Sequence, residues 1–385
     1  MSDTFPVDRF RSLKTPFYYY DLNLLQRTLD EVQTHAVPSN YHVHFAIKAN
    51  FNRRILELIR DAGLGIDTVS GPEIERAIET GFRGDQIAFA GVGKTDEEIM
   101  TGLEHDIFSF NCESVQELVI LNELALRAEK VANVSVRLNP NVEAKTHKYI
   151  TTGLNENKFG VNPENLPELF RRLPELKAIK LTGIHFHIGS QIRDLKAYAD
   201  LCNKVNGIQE LFEEQDITLK HINLGGGLGI NYADPDSESI PDFKSFFDIF
   251  ERHLETRDDQ QVHFELGRSI VGQCGSLISR VLFIKEGMTT NFAILDAGMT
   301  ELIRPALYQA SHNVDMLTSD KPEKTYDVVG PICETSDTFR KGIKLPEIQR
   351  GDIVAIRSAG AYGEVMSSGF NLRERVKAVY SDFES

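Results

Sequence analysis

Eight short apolar runs, each separated from the next by a stretch with helical spacing, constrain this 385-residue chain more than any other feature. The runs fall at 43–49, 65–70, 87–91, 107–112, 133–139, 181–189, 221–226 and 262–267. The intervening segments include 72–80, 96–103, 114–129, 165–173 and 195–215, which are rich in helix formers. Strand then helix, eight times in roughly 240 residues, predicts an α/β chain folded as a (β/α)8 barrel of the TIM type, for which about 250 residues is usual. A doubly wound sheet is the competing α/β arrangement. The position of the chemistry favours the barrel, whose reactive groups come from the C-terminal ends of many strands. Here Lys48 ends the first run, Asp67 lies in the second, Arg137 and Asn139 end the fifth, His187 and Ser190 end the sixth, Gly225–Gly227 end the seventh and Glu265–Arg268 end the eighth.

Beyond about residue 275 the rhythm changes to short β-rich runs such as 277–284, 291–295, 325–329 and 352–357. The expected division is a barrel over 22–274 and a mostly β C-terminal domain over 275–385. The strand-like Phe17–Tyr20, within residues 1–21, is expected to join the second domain.

A composition of 41% hydrophobic residues supplies a core for a chain of this length, and no apolar run reaches membrane-spanning length. Residues Met1–Arg11 lack the features of a signal peptide, so a cytoplasmic protein is expected. Cys112, Cys202, Cys274 and Cys333 are scattered with no CxxC pair, which suggests neither a disulfide framework nor a zinc knuckle. A net charge of −15 argues against nucleic acid as a partner. An acidic substrate has to be met by locally placed arginines.

The candidate site residues follow from the strand ends. In Val43–Asn50, alternation along a strand would set Lys48, Ala46 and His44 on one face. A lysine there is either solvated beyond the strand or held in a water-poor pocket, where a lowered pKa makes it a Schiff-base nucleophile. Gly225-Gly226-Gly227 follows an apolar run, and glycines let main-chain N–H groups approach an anion closely; Ser190 and Arg268 supply further donors of the kind a phosphate takes. Glu265 in the barrel mouth needs a partner, either Arg268 or a protonated ring nitrogen. His185 and His187 share a strand face and, with His44, His221 and His263, could ligate a metal; the alternative is His187 stacked on a planar cofactor, with His185 a core histidine one layer deeper. No metal is expected, because a metal hydrolase would not need the lysine, the glycines and Glu265 together. Lysine, phosphate cradle, carboxylate and stacking histidine together describe pyridoxal 5′-phosphate.

At this point the sequence resembles the fold type III pyridoxal-phosphate decarboxylases, and among them the diaminopimelate decarboxylase family. The matching stretches are Phe45–Asn50, Gly65–Gly71, Lys145–Tyr149 through Lys158–Gly160, His185–Gln191, Gly225–Gly229, Glu265–Arg268, Arg304–Tyr308, Gly330–Asp337 and Ala359–Gly363. Leu266 stands where the family has proline, and the segment before Thr15 is short for the family, so trimmed first strands of the β domain are expected.

The resemblance implies decarboxylation of meso-2,6-diaminopimelate to L-lysine and CO2, with Lys48 bonded to the cofactor. It also implies Asp67, His187, Ser190, Gly225, Gly226, Gly227, Glu265, Gly267, Arg268 and Tyr362 around the cofactor. Arg268, Arg304, Tyr308, Glu334 and Tyr362 are implied at the substrate, and Cys333 from a partner subunit, hence a homodimer. Decarboxylases of ornithine, arginine or a carboxylated polyamine precursor, and a non-catalytic cofactor-binding barrel, are the alternatives.

Overall fold

The computed structural model describes residues 5–142 and 158–382. After a first strand, β1 (Phe17–Tyr20), eight strands follow: β2 (Tyr41–Ala46), β3 (Gly65–Thr68), β4 (Ile87–Phe89), β5 (Ser109–Cys112), β6 (Ala132–Arg137), β7 (Ile179–His185), β8 (His221–Asn223) and β9 (Gln261–Leu266). Each pairs in parallel with the next, and β9 pairs with β2 to close a barrel. All eight apolar runs of the sequence hold one of these strands.

Ladder pairing stops earlier than the apolar runs do. β2 ends at Ala46, where Asn50 N donates to Ile47 O and closes a 3-10 turn over Ile47–Ala49. The alternation that would align Lys48 with Ala46 and His44 is therefore broken at Ile47. After β7 and β8, Gly189, Gly225 and Gly227 take positive φ angles and turn the chain out of the sheet. The residues singled out for chemistry thus sit mostly on the loops that leave the strand ends.

The outward face of the barrel is apolar and lies under helices. Phe264 meets Phe246, Phe247 and Phe250 of the helix Phe243–His253 at ring separations of 5.6, 5.1 and 4.8 Å. Burying each such ring contributes about 1.5–3 kcal/mol. Side-chain caps fix where helices begin after the strands: Ser70 accepts from Glu73 N and Ser114 accepts from Glu117 N.

The inward face is polar. Hydrogen bonds run from Asn111 of β5 to Glu265 of β9, across the barrel. A deeper layer holds His44, His221 and His263, linked by two ring-to-ring hydrogen bonds of 3.0 Å. Below it, at the N-terminal end of the strands, a cavity of about 420 Å³ is lined by His42, His44, Phe108 and His263.

The chain divides into two compact units: residues 28–229 with 242–270, and residues 1–27 with 230–241 and 271–385. The second unit differs from the sequence-derived 275–385 chiefly in taking in 230–241. The reason is local bonding: Gln273 Nε2 donates to Asn231 O, and Arg357 Nη2 lies 2.8 Å from Asp236 Oδ1.

Within that unit an eight-stranded sheet includes β10 (Gly275–Glu286), β11 (Asn291–Leu295), β12 (Val314–Met316), β13 (Glu323–Val329), β14 (Thr338–Pro346), β15 (Ile353–Ile356) and β16 (Ala378–Tyr380). Its main path is β12-β15-β10-β11-β13-β14, and β1 pairs with β10 and β16. Helix Val7–Ser12 precedes β1, and its Phe10 packs with Phe17, Tyr19, Ile278 and Ile353.

Candidate active site

The barrel unit gathers its titratable groups where the strands end. Lys48, in the turn after β2, places Nζ 3.1 Å from Asp67 Oδ2 of β3. The lysine side chain is 38% exposed and that of Asp67 is 0% exposed, so the amine is at the rim of the pocket and its counter-ion is inside. Burial, with the charge of Glu265, pushes the Asp67 carboxyl up to about 7 against the pull of Lys48. Asp67 Oδ1 is buried with no hydrogen-bond partner among the described residues.

Glu265, on β9, is held by three donors from three other strands. Asn111 Nδ2 of β5 and Asn223 Nδ2 of β8 donate to Oε1 at 3.0 and 2.7 Å, and His185 Nε2 of β7 lies 3.0 Å from Oε2. Burial alone would push this carboxyl up, but His185, by charge and hydrogen bond, and Lys48 outweigh it and hold Glu265 well below the usual carboxylate range. The Glu265–Arg268 pair, one of the two sequence alternatives, is not formed. Arg268 Nη2 instead donates to Ser190 Oγ at 3.0 Å. His185 is buried, one ring nitrogen bonded to the site carboxylate and the other, Nδ1, without a hydrogen-bond partner among the described residues, so it is not the fully satisfied core histidine that the sequence suggests. Asn111 and Asn223 were not singled out at all; their only sequence signal is an amide at an inward strand position.

His187 diverges from His185. Its Nδ1 accepts from Gly226 N at 3.3 Å, while burial and the charge of Arg137 keep the ring neutral down to about pH 3. Among the described residues no group of three His, Cys, Asp or Glu is placed to hold a metal ion.

The glycine loop is shaped by what surrounds it. A Cβ on Gly226 would strike the carbonyl oxygen of Glu265, and one on Gly225 would strike that of Phe186. Gly225 also takes φ 67°, which favours glycine. Leu266 pairs with Phe45 and is fully buried, so β9 runs through the position of the family's proline; Gly267 follows, and Arg268 begins the short helix Arg268–Val271. A second buried pair flanks the mouth: Arg137 Nη1 lies 2.7 Å from Glu113 Oε1, while Glu113 Oε2 accepts from Gly160 N at 2.8 Å. The stretch Lys145–Tyr149 lies outside the described residues.

The other candidates belong to the β unit. Arg304 is buried, with Nη1 2.7 Å from His312 Nε2 and the guanidinium 4.5 Å from the centre of the Tyr232 ring, so it is no surface arginine. It opens the short helix Arg304–Tyr308, on which Tyr308 is half-buried. Cys333 and Glu334 are exposed on a loop pinned by Asp337, whose carboxylate accepts from Met299 N at 2.6 Å and Ile332 N at 2.7 Å. Tyr362 is half-buried with φ 56°.

The barrel site fits pyridoxal 5′-phosphate by the kinds of donor it holds: an amine beside an unsatisfied carboxylate oxygen, an ionised buried carboxylate, a flat neutral imidazole and a glycine loop too tight for side chains. Comparison with known proteins agrees. Residues 23–272 match the pyridoxal-binding domain of the pyridoxal-dependent decarboxylases. A diaminopimelate decarboxylase of Bacteroides thetaiotaomicron is 54% identical over 99% of both chains, and one of Aquifex aeolicus is 39% identical over 95% of this chain and 86% of its own. The crystal structure of Helicobacter pylori diaminopimelate decarboxylase complexed with L-lysine superposes with a TM-score of 0.92 at 37% identity, covering 98% of this chain and 94% of that one. The chain belongs to the pyridoxal-dependent decarboxylase family and, within it, to the diaminopimelate decarboxylases.

Proposed function

We propose that this chain removes CO2 from meso-2,6-diaminopimelate to yield L-lysine in the cytoplasm, using pyridoxal phosphate bonded to Lys48. The observation that carries the reading is the convergence of Lys48, Asp67 and Glu265 beside the Gly225–Gly227 loop at one barrel mouth. When bound, the cofactor supplies an electron sink for the pair left behind as the carboxylate departs. Lys48 holds the cofactor's carbonyl carbon, and Asp67 orients the amine. Glu265, kept ionised by its donors, favours a proton on the ring nitrogen; a unit pair about 4 Å apart is worth roughly 4 kcal/mol at an effective dielectric near 20. His187, fixed by Gly226 N, offers a flat face to the ring. Main-chain amides of Gly225–Gly227 and Gly267, with Ser190, Arg268 and Tyr362, meet the phosphate.

Arg268, Arg304 and Tyr308 take the distal carboxylate and Glu334 the distal ammonium, with Tyr362 also beside the substrate. The buried guanidinium of Arg304, already oriented by His312, suits a planar anion. Cys333 completes the site from the partner subunit of a homodimer. An exposed thiol beside an exposed carboxylate in one chain is the kind of pair that a second subunit's site encloses. Among the described residues no helix is long and apolar enough to cross a membrane, and all four cysteines are free, which supports the cytoplasmic placement.

CO2 release from meso-diaminopimelate, ornithine, lysine and arginine in parallel tests the substrate. Release from the first alone is expected; preferential release from another refutes the assignment, and none at all returns the chain to a non-catalytic role. Mixing Lys48→Ala with Cys333→Ala subunits tests the shared site. Random pairing restores about a quarter of the wild-type sites in a shared-site dimer, and no recovery refutes the sharing.

A further inference from the structure

We propose that Asn223 is a positioning residue that locks the ring-nitrogen carboxylate and the phosphate loop into one rigid unit, its amide bonded to both. Nδ2 donates to Glu265 Oε1 at 2.7 Å, and Oδ1 accepts from Gly225 N at 2.9 Å. Main-chain bonds close the circuit: Glu265 N donates to Gly225 O at 2.8 Å, so carboxylate, peptide and amide form one hydrogen-bonded ring. Asn223 is itself anchored on the other side, where its carbonyl accepts from Phe186 N at 2.8 Å, one residue before His187.

The two partners dictate the side chain. A carboxylate acceptor on one side and an N–H on the other require a donor and an acceptor on a short planar group, which is an amide. Leucine would fill the space and satisfy neither. Aspartate would serve Gly225 but set a second carboxylate against Glu265. The residue is 3% exposed, so no bulk water replaces a lost bond. Asn111 is the natural contrast, since it donates to the same Glu265 oxygen while its Oδ1 faces Ser109 rather than the glycine loop.

The inference rests on the proposed assignment of Glu265 and the 225–227 loop to the cofactor. It is tested on holoenzyme carrying pyridoxal phosphate labelled with 15N in the ring, reading the 15N resonance, the 31P resonance and the cofactor dissociation rate. In Asn111→Leu the ring nitrogen moves toward the neutral pyridine value, because a carboxylate that loses a donor binds a proton more tightly, and the phosphorus signal stays. In Asn223→Leu both signals move and the cofactor dissociates at least about tenfold faster, the equivalent of one lost charge-assisted bond. Asn223→Ala, which leaves room for water, gives the same two-signal change at smaller amplitude and covers a leucine variant that does not fold. If Asn223 variants move only one signal, or neither, the coupling is wrong. Glu265→Gln separates the two failures: a ring nitrogen unmoved there overturns the site assignment, whereas one moved there but unmoved in the Asn223 variants overturns this inference alone.

Discussion

Acidification will loosen this barrel from the N-terminal end of its strands, through the histidines rather than the active site. His44 is buried against Phe108 and bonded to His263, and burial holds its ring down to about 4 from an ordinary 6.5. His221 is similarly lowered to about 4, and His263 lies well below 6.5, again chiefly by burial. The sign follows from proton counts. Below pH 6.5 the unfolded chain protonates these rings while the folded chain does not, so stability falls as pH drops from 6.5 toward 4 and levels off beneath it. For His44 alone the loss is about 2 kcal/mol at pH 5 and about 3 kcal/mol at completion. Against a typical total of about 5–15 kcal/mol that is a large share. His221 is more exposed, and solvent screening reduces its part. Asp67 acts oppositely: with its carboxyl raised to about 7, the folded state binds a proton that the unfolded state releases, and stability rises as pH falls through that value. The total slope therefore mixes both signs, and a variant isolates the ring. Urea midpoints of wild type and His44→Gln between pH 6.5 and 5 should differ in slope by about 1 kcal/mol per pH unit, the wild type being steeper. Equal slopes would refute the assignment of a neutral, buried imidazole at position 44.

Gly226→Ala drives a methyl group into the Glu265 carbonyl, a backbone atom that cannot swing away; cofactor affinity should fall at least about tenfold with far-ultraviolet circular dichroism unchanged, and wild-type affinity would show that the loop yields freely. Glu113→Gln leaves the buried Arg137 guanidinium uncompensated, so stability should fall by about 3 kcal/mol, read as a lower urea midpoint; an unchanged midpoint would mean that water reaches the pair. Cys333 is exposed whereas Cys112, Cys202 and Cys274 are buried with thiols pushed up by burial. A disulfide reagent should thus label Cys333 alone, slowly in the homodimer whose second subunit encloses it and fast once the subunits are dissociated, and Cys333→Ala should give no label; that variant should turn over slowly while keeping the visible absorbance of bound cofactor. Lys48→Ala should lose that absorbance, and retention would place the covalent bond elsewhere.

Much of the fold is legible in the sequence because a closed parallel barrel repeats one local pattern eight times, each repeat carrying its own apolar run and helix. The residues at the strand ends are legible for a related reason: lysine, glutamate and three successive glycines are costly or useless where an apolar strand ends, unless chemistry requires them. Sequence reasoning marked Leu266 as a departure from the family's proline; that the residue belongs to β9, paired with Phe45, came from the structure. Nor could sequence reasoning tell that Ile47–Ala49 leaves the strand as a 3-10 turn, because that depends on a single hydrogen bond, Asn50 N to Ile47 O.

Which inward residues meet across the barrel was decided only by tertiary structure. Alternation along a strand assigns a face, but not the strand that lies opposite; that depends on the number of strands and on the register at which β9 meets β2. Hence Glu265 could be read as needing a partner, while Asn111, 154 positions away, Asn223 and His185 could not be named as supplying it. The amino-acid sequence chose the chemical groups; closure of the barrel chose which of them touch.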